Sequence, residues 1–231
     1  MSTSPVIVAL DFRESSDADA LVGVLGNSAD FYKVGMELYA AAGMDYVQTL
    51  LARRKKVFLD LKFYDIGETV RRAVSQVART GVTFLSIHSV PQVVRAAVQG
   101  RGNSSLKLLA VTVLTSLDQA DIDADGYTMK LTDLVTLRAK NAIDCGADGL
   151  IGSPLEARRI RTVVGPGPLL VTPGVRSKGA DTGDQKRVAT PSEAVHDGAD
   201  YIVVGRPLRD AKDPAAAARA IQSTIAGVFP S

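Results

Sequence analysis

Eight short apolar segments alternate with amphipathic segments along this chain. Most of the apolar segments are nearly continuous, which is typical of parallel β-strands that are covered on both faces. The segments between them carry apolar residues at helical spacing, and several end at a glycine. The predicted strands span residues 6–11, 31–34, 56–62, 84–88, 108–114, 149–153, 169–175 and 201–205. The predicted helices span residues 17–25, 43–54, 69–80, 131–145, 154–164, 191–197 and 211–226.

This alternation favours an α/β protein whose strand–helix units close a (β/α)8 TIM barrel. A doubly wound sheet fits the alternation almost as well, but no glycine-rich dinucleotide turn follows the first strand. No linker or shift in composition divides the sequence, so we expect a single domain over residues 1–231. In such barrels the functional groups lie at the C-terminal ends of the strands and in the loops that follow them. The two longest of these loops are predicted at residues 115–130 and 176–190.

The composition limits the chemistry that those strand ends can carry. The 231 residues include one cysteine, Cys145, and two histidines, His88 and His196, which lie far apart in the sequence. These counts exclude a disulfide framework within the chain and a zinc site built on several thiolates, and they argue against a histidine-rich metal site. We therefore expect the chemistry of this protein to rest mainly on Asp, Glu, Lys, Arg, hydroxyl and backbone groups.

Charge and hydropathy favour a cytoplasmic protein that binds neither nucleic acid nor membrane. The 27 basic and 25 acidic residues give a net charge of +2, which is too balanced for a nucleic-acid coat. The first residues lack the charged and apolar regions of a signal peptide. No apolar stretch approaches the length of a transmembrane helix.

The sharpest chemical feature is a pair of charged residues, Asp60 and Lys62, inside the apolar segment 58–65. Because they are two positions apart in a predicted strand, both side chains are expected to face the barrel axis, while the intervening leucine faces the helices. Asp11 and Lys33 on the neighbouring strands extend the set to an alternating array of Asp and Lys. The array either fixes strand register as a buried ion-pair network or holds a lysine protonated as a proton donor.

A second feature lies after strands seven and eight, where TIM barrels often bind phosphate. Gly174 and Gly205 allow backbone N–H groups to approach an anion, and Arg176 and Arg206 can clamp it. The polar loop at residues 177–190 is long enough to fold over a ligand as a lid. Helix caps with surface arginines, and a plain connecting loop, are the alternatives.

Together these motifs resemble the orotidine 5′-monophosphate decarboxylase family over almost the whole chain. The Asp-x-Lys-x-x-Asp pattern at residues 60–65 is shared with relatives such as the hexulose-phosphate synthases, but its combination with the other motifs is more specific. The matching segments are Ala-Leu-Asp at 9–11, Tyr-Lys-Val-Gly at 32–35, Leu-Asp-Leu-Lys-Phe-Tyr-Asp-Ile at 59–66, Val-Thr-Val-Leu-Thr-Ser at 111–116, Thr-Pro-Gly-Val-Arg at 172–176, Gly-Asp-Gln-Lys-Arg at 183–187 and Val-Val-Gly-Arg-Pro at 203–207.

The resemblance implies decarboxylation of orotidine 5′-monophosphate (OMP) to UMP without a metal or a cofactor. It implies that Lys62 protonates C6 of the pyrimidine, that Asp60 lies near the leaving carboxylate and that Asp65 completes the array. In the family this second aspartate and a nearby threonine, here Thr69, come from the partner subunit. A homodimer with an active site shared across the interface is therefore implied.

The resemblance also implies which residues bind the rest of the substrate. Asp11 and Lys33 are expected to hold the ribose hydroxyls, and Thr115 is expected to contact the pyrimidine. The residues expected to hold the phosphate and close the loop over it are Arg176, Gln185, Gly205 and Arg206.

Two segments depart from the family pattern, and two alternatives stay open. Gly67-Glu68 stands where the family often has Pro-Asn, which adds backbone freedom and a charge at the loop and dimer contacts. His88 is followed by Ser-Val-Pro rather than Ala-x-Gly, and we expect it to be a structural or interface residue. The alternatives are a metal-dependent aldolase resembling the hexulose-phosphate synthases and a non-catalytic nucleotide-binding barrel.

Overall fold

The computed structural model describes residues 4–175 and 187–228. Within these residues, eight parallel strands pair in sequence order and close a barrel, which confirms the predicted (β/α)8 fold over a doubly wound sheet. The sheet closes where Val6 of the first strand pairs with Ile202 of the last. The strands are β1 (Val6–Ala9), β2 (Phe31–Gly35), β3 (Lys56–Phe63), β4 (Phe84–His88), β5 (Lys107–Val111), β6 (Gly149–Ile151), β7 (Leu169–Thr172) and β8 (Tyr201–Val204).

Helices alternate with these strands and cover the outer face of the sheet. They are α1 (Ser15–Leu25), α2 (Met36–Ala52), α3 (Gly67–Val77), α4 (Pro91–Arg101), α5 (Gln119–Ala124), α6 (Leu131–Asp144), α7 (Ala157–Val164), α8 (Pro191–His196), α9 (Arg206–Arg209) and α10 (Pro214–Ala226), with 3₁₀ turns at Gly26–Ser28 and Pro154–Glu156. In the part of the chain that the structure describes, no helix combines the length and apolarity needed to cross a membrane. The single domain and the cytoplasmic location stay predictions.

The helices differ from the prediction at several places, and the short helices α5 and α9 were not predicted. Helix α2 begins at Met36 rather than at residue 43, and Gly43, with φ 62° and ψ −161°, interrupts it. The predicted start therefore coincides with an internal break that glycine tolerates. Helix α4 lies in a segment that the sequence pattern did not assign, although Pro91 begins it and Gly102 ends it.

Most strands are shorter at their C-terminal ends than predicted. Strand β5 ends at Val111 rather than at residue 114, and β7 ends at Thr172 rather than at residue 175. The apolar residues beyond these ends include Val113, which is buried although it lies outside the sheet. Burial alone therefore does not mark where a strand ends, since the rim loops of the barrel also pack against the core.

Aromatic rings fill the lower part of the barrel and support a polar layer above them. Phe84 contacts Phe31, Phe58 and Tyr201 with ring centroids 4.9, 6.1 and 5.3 Å apart. Two residues further along β2, β3 and β4, on the same face of each strand, the side chains become polar. These positions hold Lys33, Asp60 and Ser86.

Candidate active site

A cavity of about 520 Å³ opens at the C-terminal ends of the strands. Apolar side chains of the inner core, among them Phe58, Val111, Ile151 and Val203, form part of its wall. The polar and charged residues that line it are Asp11, Lys33, Asp60, Lys62, Thr115, Ser116, Arg206 and Arg209. A concave site with convergent polar groups at this end of the barrel is where a TIM barrel places its chemistry.

The charged array predicted from the sequence is assembled in this cavity. Lys33 Nζ lies 2.8 Å from Asp11 Oδ1 and 3.8 Å from Asp60 Oδ2, and Lys62 Nζ lies 2.9 Å from Asp60 Oδ1. The side chains of Lys33 and Asp60 are 11% and 13% exposed, whereas that of Asp11 is 50% exposed. The charges thus alternate from the solvent-facing Asp11 to the buried Asp60 and on to Lys62.

A distortion of β3 aims the Lys62 side chain at Asp60. The register between β3 and β4 shifts between Leu59 and Phe63, and Lys62 has a φ of 50°. A left-handed backbone is uncommon for a residue other than glycine and costs roughly 1–2 kcal/mol. The prediction that Asp60 and Lys62 alternate with their neighbours in a regular strand was therefore incomplete, because β3 contains a bulge at this point.

Ser86 on β4 stabilises the distorted backbone of β3 at Lys62. Its hydroxyl is fully buried and accepts a hydrogen bond from the Lys62 backbone N–H at 2.8 Å. The same hydroxyl donates to Asp60 Oδ1 at 2.8 Å. Sequence reasoning missed Ser86, although a lone serine inside the apolar segment of β4 was a visible signal.

The electrostatics of the array keep Asp60 ionised. Burial alone would raise the pKa of Asp60, but Lys33 and then Lys62 oppose that effect. With the hydrogen bonds from Lys62 and Ser86, the net result is a pKa below the ordinary value of 3.8. At neutral pH a negative charge therefore lies beside Lys62 Nζ.

The opposite wall of the cavity is formed by the loops after β7 and β8. Gly205 lies at the start of α9, and Arg206 and Arg209 of that helix line the cavity. Arg209 Nη1 donates to the Asp11 backbone oxygen at 3.3 Å, which links this wall to the array. Arg209 was not predicted from the sequence. The other two predicted phosphate ligands, Arg176 and Gln185, lie outside the described residues, as does most of the predicted lid loop.

A turn after β5 supplies the polar groups between these two walls. The Leu117 N–H donates to the Leu114 oxygen at 3.0 Å, so Thr115 and Ser116 occupy the centre of the turn. Thr115 is buried and lines the cavity, in the region where the sequence placed it.

Asp65 and Thr69 are not brought to this cavity by their own chain. Both are exposed, and Asp65 Oδ1 accepts a hydrogen bond from the neighbouring Ile66 N–H at 2.6 Å. Neither residue is among those that line the cavity. Their expected role in a partner's site stays a prediction.

The departures from the family pattern lie beside these two residues. Glu68 is in the first turn of α3, where Arg71 and Arg72 hydrogen-bond it and lower its pKa to about 2. Its added charge is thus paired within its own helix. The His88 ring lies 5.0 Å from the Tyr64 ring, and burial lowers the pKa of His88, with smaller contributions from nearby cations.

This chain is similar to known proteins over nearly its whole length. The model of the orotidine 5′-phosphate decarboxylase / HUMPS family matches residues 4–221. The orotidine 5′-phosphate decarboxylase of Rhodopseudomonas palustris (strain BisA53) is 51% identical over 222 residues, which cover 96% of this chain and 94% of that protein. The protein of the same name from Methylobacterium nodulans is 49% identical, covering 96% and 95%.

Solved structures give the same result. The crystal structure of orotidine 5′-phosphate decarboxylase from Lactobacillus acidophilus is similar with a TM-score of 0.86 and 38% identity, covering 96% of this chain and 99% of that one. An uncharacterized conserved protein from Geobacillus kaustophilus is similar with a TM-score of 0.84 and 33% identity, covering 96% and 100%.

Proposed function

The chain belongs to the orotidine 5′-phosphate decarboxylase / HUMPS family, and from this premise we propose that it decarboxylates OMP to UMP in pyrimidine biosynthesis. The observation that carries the proposal is the alternating array of Asp11, Lys33, Asp60 and Lys62 in one cavity. A network that only fixed strand register would not require a lysine held at the cavity surface by a left-handed backbone.

Lys62 is proposed to stabilise the charge that develops when carbon dioxide leaves. The bond between C6 and the carboxylate carbon breaks, and its electron pair stays on C6 in an orbital that the ring does not delocalise. A cation already in place beside C6 lowers this barrier without reorganisation during the reaction. The Lys62 ammonium then donates a proton to C6 and recovers one from water.

Asp60 is proposed to act on the leaving carboxylate. Because its pKa is lowered, Asp60 is an anion at neutral pH and repels a substrate carboxylate placed beside it. That repulsion disappears as neutral carbon dioxide departs, so it raises the ground state relative to the transition state. Lys33 and Lys62 keep the position of Asp60 fixed while this happens.

Cavity residues other than Asp60 and Lys62 are proposed to hold the remote parts of the substrate. Asp11 and Lys33 provide hydrogen-bonding side chains for the ribose hydroxyls. Gly205 provides a backbone N–H and Arg206 a guanidinium for the phosphate. Arg176 and Gln185 remain proposed phosphate ligands on sequence grounds alone. Binding energy from the phosphate can then organise the reacting end of the site.

We further propose that the active protein is a homodimer. The support is a group of exposed apolar side chains, Tyr64 and Ile66, with exposed fractions of 64% and 71%, directly beside Asp65 and Thr69. In a two-fold dimer the same face of each chain meets its copy, so these residues can reach the partner's cavity.

Subunit complementation tests the shared site. Lys62→Ala and Asp65→Ala chains are each expected to be inactive alone. After subunit exchange, half of the dimers are mixed and each of these has one intact site, so about a quarter of wild-type activity returns. No recovery from a mixture in which exchange is demonstrated contradicts the shared site.

The alternative of a metal-dependent aldolase gains no support from the relatives, whose names are those of decarboxylases. Within residues 4–175 and 187–228, no group of three or more His, Cys, Asp or Glu side chains is arranged to hold a metal ion. The non-catalytic nucleotide-binding barrel leaves the ordered array unexplained. Independence of nucleic acid, membrane, metal and cofactor stays a prediction.

One assay tests the proposed activity. The purified chain is mixed with OMP, and loss of the orotate absorbance is followed together with UMP formation, with and without EDTA. We expect turnover that EDTA does not change. Absence of UMP formation contradicts the proposal, and activity that EDTA abolishes and a divalent cation restores contradicts the metal-free mechanism.

A further inference from the structure

A buried ion pair outside the array joins the loops at the mouth of the barrel. Arg187 and Glu156 are only 8% and 5% exposed, and Arg187 Nη1 donates to Glu156 Oε1. Neither side chain lines the cavity. The mechanism proposed above uses neither charge, so the presence of two buried ionic groups at this position requires another explanation.

The other end of the Arg187 guanidinium reaches the turn after β5. Arg187 Nη2 donates to the Leu114 backbone oxygen at 2.9 Å. The same oxygen accepts the Leu117 N–H at 3.0 Å, which closes the turn around Thr115 and Ser116. Arg187 therefore binds the carbonyl that defines the position of two cavity-lining residues.

Glu156 fixes the guanidinium from the loop after β6. It ends the 3₁₀ turn Pro154–Glu156, which Ser153 caps by accepting the Leu155 N–H at 3.2 Å. The Ser153 hydroxyl also donates to the Arg187 backbone oxygen at 3.5 Å. One ion pair thus connects the β5 loop, the β6 loop and the residues that precede α8.

Stability alone does not account for this pair. Arg187 Nε and Glu156 Oε2 are buried and have no hydrogen-bond partner within the described residues. An incompletely bonded buried pair generally stabilises a fold no more than apolar residues of similar volume do. What apolar residues cannot provide is the hydrogen bond to the Leu114 carbonyl, which needs a donor of fixed, forked geometry.

We propose that Arg187, oriented by Glu156, is a positioning residue that holds the turn carrying Thr115 and Ser116 against the cavity. The identity of the ligand that benefits, a pyrimidine nucleotide, rests on the proposed function. The effect of Arg187 on the turn itself does not depend on that function.

Two variants separate positioning from stability. The double variant Glu156→Met/Arg187→Met removes both buried charges at nearly constant volume, so we expect it to fold with a melting temperature close to that of the wild type. Arg187→Lys keeps the charge but cannot donate to Glu156 and to the Leu114 carbonyl in the same geometry. Arg161→Lys is the matched control. Arg161 Nη2 donates to Asp200 Oδ2 at 2.5 Å, and Asp200 directly precedes β8, at the end of the barrel opposite the cavity.

The readouts are amide hydrogen exchange in the ligand-free chain and the dissociation constant of UMP. In both Arg187 variants we expect exchange at the Leu117 amide to accelerate by about tenfold and UMP to bind about tenfold more weakly. The control Arg161→Lys is expected to change neither quantity. If the double variant folds poorly, Arg187→Lys alone decides the question.

Wild-type exchange and wild-type UMP affinity in the Arg187 variants overturn the proposal. Failure of the proposed function is distinguishable, because it shows as a wild-type chain that neither binds UMP nor consumes OMP. In that event the exchange comparison still decides whether Arg187 positions the turn.

Discussion

Replacing Ser86 with alanine removes the hydroxyl that joins Asp60 to the backbone of Lys62. The wild-type hydroxyl is fully buried, accepts the Lys62 N–H at 2.8 Å and donates to Asp60 Oδ1 at 2.8 Å. Alanine fills nearly the same space, so the change deletes two hydrogen bonds with little effect on packing. It also leaves the left-handed backbone at Lys62, with its φ of 50°, without this support.

The two lost hydrogen bonds determine the expected loss of stability in Ser86→Ala. A hydrogen bond to an ionised carboxylate contributes about 1.5–3 kcal/mol, and one from a backbone N–H contributes about 1 kcal/mol. The sum is about 3 kcal/mol of unfolding free energy. For a chain of 231 residues this corresponds to a melting temperature lower by about 6–12 °C. Because Lys62 is displaced, kcat should fall by about 10- to 100-fold, with a smaller change in KM.

Thermal and urea unfolding with steady-state OMP turnover measure both effects. Thr172→Val is a matched stability control: Thr172 is fully buried on β7, and its hydroxyl has no hydrogen-bond partner in the described part of the chain. We expect that control to be as stable as the wild type or more so. An Ser86→Ala protein with wild-type stability and kcat would refute the role assigned to Ser86.

Three further changes test other parts of the site. Lys33→Met leaves Asp11 and Asp60 without their shared cation. We expect the unfolding free energy to be lower by about 2 kcal/mol and kcat/KM to be lower by about 100-fold. Unchanged kinetics would contradict this expectation. Because the folded pKa of Asp60 lies below 3.8, ionisation of Asp60 stabilises the fold above that pH. The unfolding free energy of the wild type minus that of Asp60→Asn should therefore be constant near neutrality and should decrease as pH falls below 3.8. A difference that grows below pH 3.8 refutes the assignment. Gly205→Ala adds a methyl 3.4 Å from Ala9 Cβ, and because this is an ordinary contact the melting temperature should stay nearly constant. KM for OMP should rise by about tenfold. An unchanged KM argues against a substrate contact at Gly205.

Strand order and strand positions could be predicted from the sequence because burial on both faces leaves continuous apolar runs. The run at residues 84–88 coincides with β4, and that at 201–205 is one residue longer than β8. Helix α4 was harder to predict, since its alanines and its glycine blur the apolar stripe, although its proline and terminal glycine are ordinary helix signals.

The charged half of the site was predictable because charges inside apolar strands are rare. Asp60 and Lys62 stand out for that reason, and the structure joins them through a 2.9 Å contact. The bulge at Lys62 could not be predicted, because no glycine marks its left-handed backbone. Arg187 and Glu156 lie 31 positions apart, and only the closed barrel brings them together.

The most direct test of the account compares OMP turnover by the wild type and by Lys62→Ala, each shown to be folded by its melting transition. The account assigns to Lys62 both the charge that stabilises the carbanion and the proton that reaches C6. It therefore predicts that Lys62→Ala remains folded and loses at least about 10⁴-fold in kcat. A folded Lys62→Ala protein that converts OMP to UMP at a rate near that of the wild type would contradict it.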